Sequence, residues 1–353
     1  MSKKILFLTK YNRLGANSRY RSYQYIPYLK KEGIIIDTTP LFDEIYVKNI
    51  YSTKKHFLQD ILRCYFKRLI ILFSVKKYDL LLIEAELFPY IPGLFEWLLK
   101  VFHIPYLLDY DDAIFHHYDT SPMRKIILGS KIKNIAKKAN AIVTGSPYLT
   151  AYMEKYNNNV FEIPTVIDLK KYPEKKSPLP EKFTIGWIGS PYTEDYMMEI
   201  YPVLKQFGKN HDYKLVLIGA NESMRKRLKG INTEIWKWTE EDEVKDIREF
   251  NVGIMPLPDT KWTRGKCGLK LIQYMGCFLP VIATPVGINN EIIENKINGY
   301  LADTQTEWLD ALNELYENKD LQIKMGTEGR KLVEEKYEIG NGASLLSVIN
   351  KFL

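Results

Sequence analysis

The sequence predicts an α/β protein built from two doubly wound parallel sheets in tandem, and three observations carry that prediction. Short apolar runs alternate with longer amphipathic stretches along the chain, the pattern left when buried parallel strands are joined by covering helices. The alternation restarts after a Pro/Lys/Glu-rich connector at residues 170–182 that contains Pro173, Pro178 and Pro180. The chain has 353 residues, 46% of them hydrophobic and 26% charged, which suits two globular domains.

In order, the first half offers strands at residues 4–8, 34–38, 80–83, 106–108 and 141–144. The second offers strands at 183–188, 214–218, 231–236, 252–255 and 281–283. Pro164-Thr165-Val166-Ile167-Asp168 leaves the first domain, so the division is read as 1–168 and 169–340. A terminal helix at about 341–353 follows the Gly340-Asn341-Gly342 break and is expected to turn back onto the first domain. Ligands of open α/β sheets sit at the carboxyl ends of the strands, so a cleft between two such sheets is the expected active site.

Composition narrows the function. Cys64, Cys267 and Cys277 make neither a disulfide framework nor a zinc spacing. M-S-K-K-I-L-F-L-T-K reads as a first strand and not a signal peptide, and no stretch approaches a membrane span. A cytoplasmic, reducing location is expected. The net charge of +7 is uneven: residues 1–170 hold 25 Lys/Arg and 16 Asp/Glu, residues 171–353 hold 25 and 27. A basic first half can meet phosphorylated substrates, an anionic membrane or nucleic acid. No recognised nucleic-acid module accompanies it, so nucleic acid ranks last.

The chemistry concentrates at residues 251–287. A strand ends at Met255, a loop with Gly265 and Gly268 follows, and a helix runs to about Cys277. Such a unit presents backbone N–H groups and the positive end of a helix to a phosphate. Lys266, Lys270, Gln273 and Cys277 fall on one stripe if the helix reaches back that far. Two lysines four apart repel by about 0.2–0.5 kcal/mol unless a ligand lies between them. A shared diphosphate reverses the sign, at about 1.5–3 kcal/mol per charge-assisted hydrogen bond. The alternative is a solvated helix face.

This segment resembles the donor-binding region of family-four retaining glycosyltransferases, in the subgroup reading G-K-C-[AG]-x-K-L-x-Q-Y-M. The resemblance implies the GT-B fold, two Rossmann-like domains facing across a cleft, with a nucleotide-diphosphate sugar as donor and a glycan or lipid-linked hydroxyl as acceptor. Most of that family carries E-x7-E here; in this chain Gly265 replaces the first glutamate and Gln273 the second. The resemblance implies that Gly189, Ser190, Gly265, Lys266, Cys267, Gly268 and Lys270 hold the diphosphate. It gives Gln273 the ribose and sets Trp236 and Trp238 near the nucleobase, where a core role for the tryptophans is the alternative. Gly15, Arg19 and Arg21 resemble the glycine loop on the acceptor side, with the arginines as phosphate clamps or ordinary surface residues.

Residues 107–115 bring Asp109, Asp111 and Asp112 together at a strand end. Alignment with the family puts Asp111 against the donor sugar or acceptor, as general base or hydroxyl ligand; Asp109 and Asp112 line the same side. Capping the next helix is the structural alternative. Asp109-Tyr110-Asp111 is also a D-x-D, which with His116 and His117 describes a metal-dependent GT-A-like enzyme. The lysines and helix end supply positive charge without metal, so no cofactor is expected and Lys266, Lys270 and Asp111 are read as the catalytic set. A nucleotide-sugar epimerase and a non-catalytic nucleotide-sugar binding protein are the remaining alternatives. The expected setting is surface polysaccharide or lipid-linked glycan synthesis. Residues 51–77, with seven Lys/Arg, one acid and the apolar run 69–73, read either as a membrane-surface helix or as a helix–strand unit with that run buried.

Overall fold

The computed structural model describes residues 2–53, 55, 57–175, 177–340 and 345–353, with Ser52 and Thr53 described by backbone alone. Lys54 and His56 of the basic segment, Lys176 of the connector and residues 341–344 at the expected helix break lie outside the described residues. The chain forms two compact units. One comprises Met1–Thr165, Arg264–Cys267 and Gly342–Leu353, the other Val166–Thr263 and Gly268–Asn341.

The first unit holds β1 (Lys4–Leu8), β2 (Ile35–Thr38), β3 (Leu80–Glu84), β4 (Tyr106–Tyr110), β5 (Ala141–Thr144) and β6 (Val160–Glu162). All pairs are parallel, in the order β2-β1-β3-β4-β5-β6. Every residue of β3 and β4 is buried, as expected of central parallel strands covered on both faces. The chain leaves β1 toward one edge and returns to build the sheet toward the other, so the switch point lies at the carboxyl ends of β1 and β3. Residues 69–73 are neither a strand nor a buried run. They end one helix, Leu58–Leu72, with Leu69, Ile71 and Leu72 half-buried and Ile70 and Phe73 exposed. The helix Leu345–Phe352 belongs to this unit and sets Phe352 edge-on to Phe161.

The second unit holds β7 (Phe183–Ile188), β8 (Tyr213–Ile218), β9 (Thr233–Trp236), β10 (Val252–Met255), β11 (Val281–Ala283) and β12 (Gly299–Leu301). The order β12-β11-β10-β7-β8-β9 is the Rossmann arrangement, with its switch point between β7 and β10. Trp187, Phe207, Leu215, Ile254, Ile282 and Leu312 belong to its core. Gly186 and Gly253 pair across the switch point and stand under rings, since a Cβ would lie 1.9 Å from Phe250 or 2.3 Å from Tyr274. β6 and β12, which the sequence reading lacks, are three-residue strands at sheet edges. Among the described residues, no helix is long and apolar enough to cross a membrane.

Candidate active site

In the second unit the switch point is bounded by the turn after β7 and the loop after β10. The turn opens with Gly189-Ser190, both half-buried. Gly189 N–H donates to the Ile218 carbonyl at 3.0 Å, and Gly219 N–H to that of Trp236 at 2.9 Å, so the ends of β7, β8 and β9 are laced together. Gly219 has φ +82°, and a Cβ there would lie 2.4 Å from the Gly189 carbonyl oxygen. Only glycine allows both the left-handed turn and the close approach.

The helix after β10 runs Leu269–Gly276 and is preceded by Gly268 with φ +70°, an N-cap residue with no side chain of its own to bond the first turn. This start breaks the expected stripe: Lys266 and Lys270 are not on one helix. Lys270 lies in the first turn, its ammonium 4.7 Å from the centroid of the Trp187 ring, a cation–π contact. Gln273 is buried one turn on, beside Tyr274. The Tyr274 hydroxyl accepts from Ile188 N–H at 3.0 Å and donates to the Ile254 carbonyl at 3.4 Å, joining the helix to the ends of β7 and β10. Trp236 and Trp238 are half-buried at the end of β9 and just beyond it. The first donates to Glu234 at 2.9 Å and has Lys214 above its ring; the second donates to Glu243 at 2.7 Å.

In the first unit, the strand end after β4 meets the segment Arg264–Cys267. Lys266 forms an ion pair with Asp112 at 2.7 Å, and Asn17 donates to the other Asp112 oxygen at 3.1 Å. The Cys267 thiol donates to the Asp111 carbonyl at 3.0 Å, and burial pushes its pKa up, so it is no thiolate. Gly265 is needed sterically, because a Cβ would lie 2.5 Å from that of Ala113. Burial first, then the carboxylates of Asp112 and Glu84, push Asp111 well above the usual carboxylate range against the pull of Arg21.

Arg21 and Asp109 differ from the expected roles. The Arg21 guanidinium is buried, donates to Asp109 at 2.6, 3.1 and 3.2 Å and to the Ile163 carbonyl at 2.7 Å. In this arrangement the guanidinium is committed to Asp109 and the Ile163 carbonyl, and the Asp109 carboxylate to Arg21. Among the described residues no group of three or more His, Cys, Asp or Glu could hold a metal ion. His116 instead shares a hydrogen bond of 2.9 Å with the Tyr148 hydroxyl, and burial and Lys10 push His117 down. Arg19 is buried too, reaching the Arg13 carbonyl at 3.4 Å and lying over Tyr20. Gly15 opens the short helix Ala16–Arg21, where a Cβ would lie 2.5 Å from that of Tyr11.

Glu84, absent from the sequence reading, organises the loop after β1. Its carboxylate accepts from Lys10 N–H at 2.9 Å and Ser18 hydroxyl at 2.6 Å, and Ser18 accepts from Tyr11 N–H at 3.0 Å. Ala85 then turns at φ 63°, a conformation costing about 1–2 kcal/mol for an L-residue, and both Glu84 and Glu86 are buried. The sequence signal was E-A-E at the end of an apolar strand, acids where a buried strand has none to spare. Trp187 and Tyr274 left no such signal, because each reads as core.

Residues 182–318 match the family described as Glycosyl transferases group 1. No curated protein matches the sequence. Similar solved structures include a sucrose-phosphate synthase from Thermosynechococcus elongatus, at TM-score 0.70 and 14% identity over 99% of this chain and 97% of that one. A glycosyltransferase from Rickettsia africae has TM-score 0.69 and 13% identity over 99% and 98%. Anabaena HepE, solved with UDP and glucose, has TM-score 0.67 and 15% identity over 99% and 97%. At such identities the likeness speaks for the fold.

Proposed function

We propose, for a chain whose residues 182–318 carry a group 1 glycosyl transferase domain and whose fold is GT-B, that it moves a sugar from a nucleoside-diphosphate donor to a hydroxyl acceptor with retention of configuration. One observation carries the reading. At the switch point of the second unit, a glycine-started helix holds Lys270 in its first turn, above Trp187. Helix dipole, backbone amides and ammonium together suit a diphosphate, and the charge they stabilise is the one that grows on a departing nucleotide. Gly189 and Ser190 border the same switch point, Gln273 takes the ribose, and the segment around Trp236 and Trp238 takes the base. Asp111, at the strand end after β4, is taken as the general base or the ligand of a sugar hydroxyl. Lys266, two residues before the Gly268 that starts that helix, is read as a further cation of the segment and is held by Asp112. The donor is taken as a UDP-sugar by analogy with HepE, solved with UDP and glucose. The acceptor is taken as a glycan or lipid-linked glycan of surface polysaccharide, used on the cytoplasmic side of a membrane. Three free, buried cysteines agree with a reducing compartment.

Calorimetry with UDP tests this, run in EDTA because the proposal assigns the diphosphate to protein groups and needs no divalent metal. UDP should bind, and Lys270→Ala should cost about 1.5–3 kcal/mol, roughly ten- to a hundredfold. Binding by the parent that needs Mn²⁺, or an unaffected Lys270→Ala, would remove the site assignment.

A further inference from the structure

The helices between β2 and β5 cover one face of the first sheet, because successive crossovers run in one direction along it and keep one hand. A covering helix ordinarily turns polar residues outward. Here Leu58, Leu62, Phe66 and Ile70 recur every four residues along Leu58–Leu72 and are 53–68% exposed, with Phe73 at 83% just beyond. On the helix Pro122–Leu128, Met123, Ile126 and Ile127 are 62–85% exposed. Between them, Leu94, Trp97 and Val101 are exposed at i, i+3 and i+7 of Leu94–Val101. Residues 57–127 contain 14 of the 19 exposed large hydrophobic side chains among the described residues, so the clustering is not the ordinary scatter of a surface.

The stripes are joined through residues 88–95. Tyr65 on the first helix packs edge-on to Phe88 and donates to the Pro89 carbonyl at 2.7 Å, Phe88 packs on Phe95, and Arg124 lies 5.5 Å over the Tyr90 ring. The charge on these segments has one sign. Outside the core, residues 57–77 carry Arg63, Lys67, Lys76 and Lys77 against Asp60, and residues 119–138 carry Arg124, Lys125, Lys133, Lys137 and Lys138 against Asp119, while Arg68 and Lys131 are buried. Lys67 flanks the first stripe, Arg124 and Lys125 flank the third, and Lys76 lies over Phe102. A protein partner of matching shape would need no such excess, whereas apolar side chains ringed by exposed Lys and Arg match a bilayer of acyl chains under anionic headgroups.

We infer that this helical face of the first unit docks on an anionic lipid bilayer, inserting the apolar stripes while the flanking cations meet the headgroups. The inference deepens the proposal of a lipid-linked acceptor, on which it rests, and its test reads docking apart from catalysis. The full chain is sedimented with vesicles of phosphatidylcholine alone and with vesicles containing about one third phosphatidylglycerol. Binding should be at least about tenfold tighter to the anionic vesicles and should weaken as salt is raised. Phe66→Asp with Ile126→Asp should lower it about tenfold or more, and so should Lys67→Glu with Arg124→Glu. These side chains are exposed, so folding should be spared; UDP affinity, measured on the same variants, should stay as in the parent. No vesicle binding, equal binding to both compositions, or unchanged binding by both double variants would overturn the inference. So would a dimer that the Asp variants dissolve in the absence of vesicle binding, since the face would then join two copies. A parent that binds vesicles but not UDP would sink the proposed function and leave the docking face standing.

Discussion

The two units share an architecture and spend their residues in opposite ways. Among the described residues, the first buries eight charged side chains, including Arg21, Arg68, Glu84, Glu86, Asp109 and Lys131; the second buries three, Glu194, Glu243 and Arg330. The first exposes 16 large hydrophobic side chains and the second three. A buried charge is costly unless paired, and replacing a pair by apolar side chains is often neutral or stabilising. The first unit's interior is therefore better explained by the loops it holds in place than by stability. Glu84 fixes the loop after β1, and Lys131 and Tyr118 both bind Glu86 in the loop after β3. The second unit buries fewer charges, and its Lys270, Gln273 and Gly189 turn gather at one switch point.

The largest expected effect tests whether the first interior is held by charge. Asp109→Ala leaves the buried Arg21 unpaired and should cost about 3–5 kcal/mol in urea unfolding. Arg21→Met combined with Asp109→Leu should recover most of that loss. If the double variant is no better than the single one, the pair contributes to stability as an ordinary core contact would, and the contrast between the units weakens.

A smaller effect follows from Glu84, whose carboxyl burial pushes up to about 7 from 4.5 against the hydrogen bonds of Ser18 and Lys10. The folded state then holds a proton that the unfolded state has lost, so this group's contribution is present below about pH 4.5 and is lost as pH rises through about 7. The loss should approach about 3.5 kcal/mol, from about 2.5 pKa units at about 1.4 kcal/mol each. Stability measured from pH 5 to 8 should fall more steeply for the parent than for Glu84→Gln. Parallel curves would show that Glu84 is ionised throughout.

The smallest effect sharpens the other side of the comparison. Gln273→Ala, in the second unit, should weaken UDP binding by only about 0.5–1.5 kcal/mol, the worth of a neutral hydrogen bond. A loss as large as that expected for Lys270→Ala would mean that Gln273 holds the helix and does not merely touch the ribose. Thermal unfolding of both variants without nucleotide separates the two explanations.

The sheets were legible in the sequence because a strand covered on both faces has to be apolar at every position. β1, β5, β7, β10 and β11 stand at the expected residues. β6 and β12 were not, since three residues at a sheet edge carry too little periodicity to be seen. The glycine loop and the helix after it were equally legible, because backbone close to a ligand or to Ala113 demands glycine whatever surrounds it. The partners of the charged residues were a different matter. That Arg21 closes on Asp109, 88 positions away, and that Lys270 settles over Trp187 depends on which strand ends the sheet order brings together, and the ion pair of Lys266 with Asp112 spans 154 positions of chain. The residue types announced charge at these positions. Only the tertiary structure decided whether that charge faces a ligand, a counter-ion or a ring, because an ion pair is made by distance in space and leaves no period in the chain.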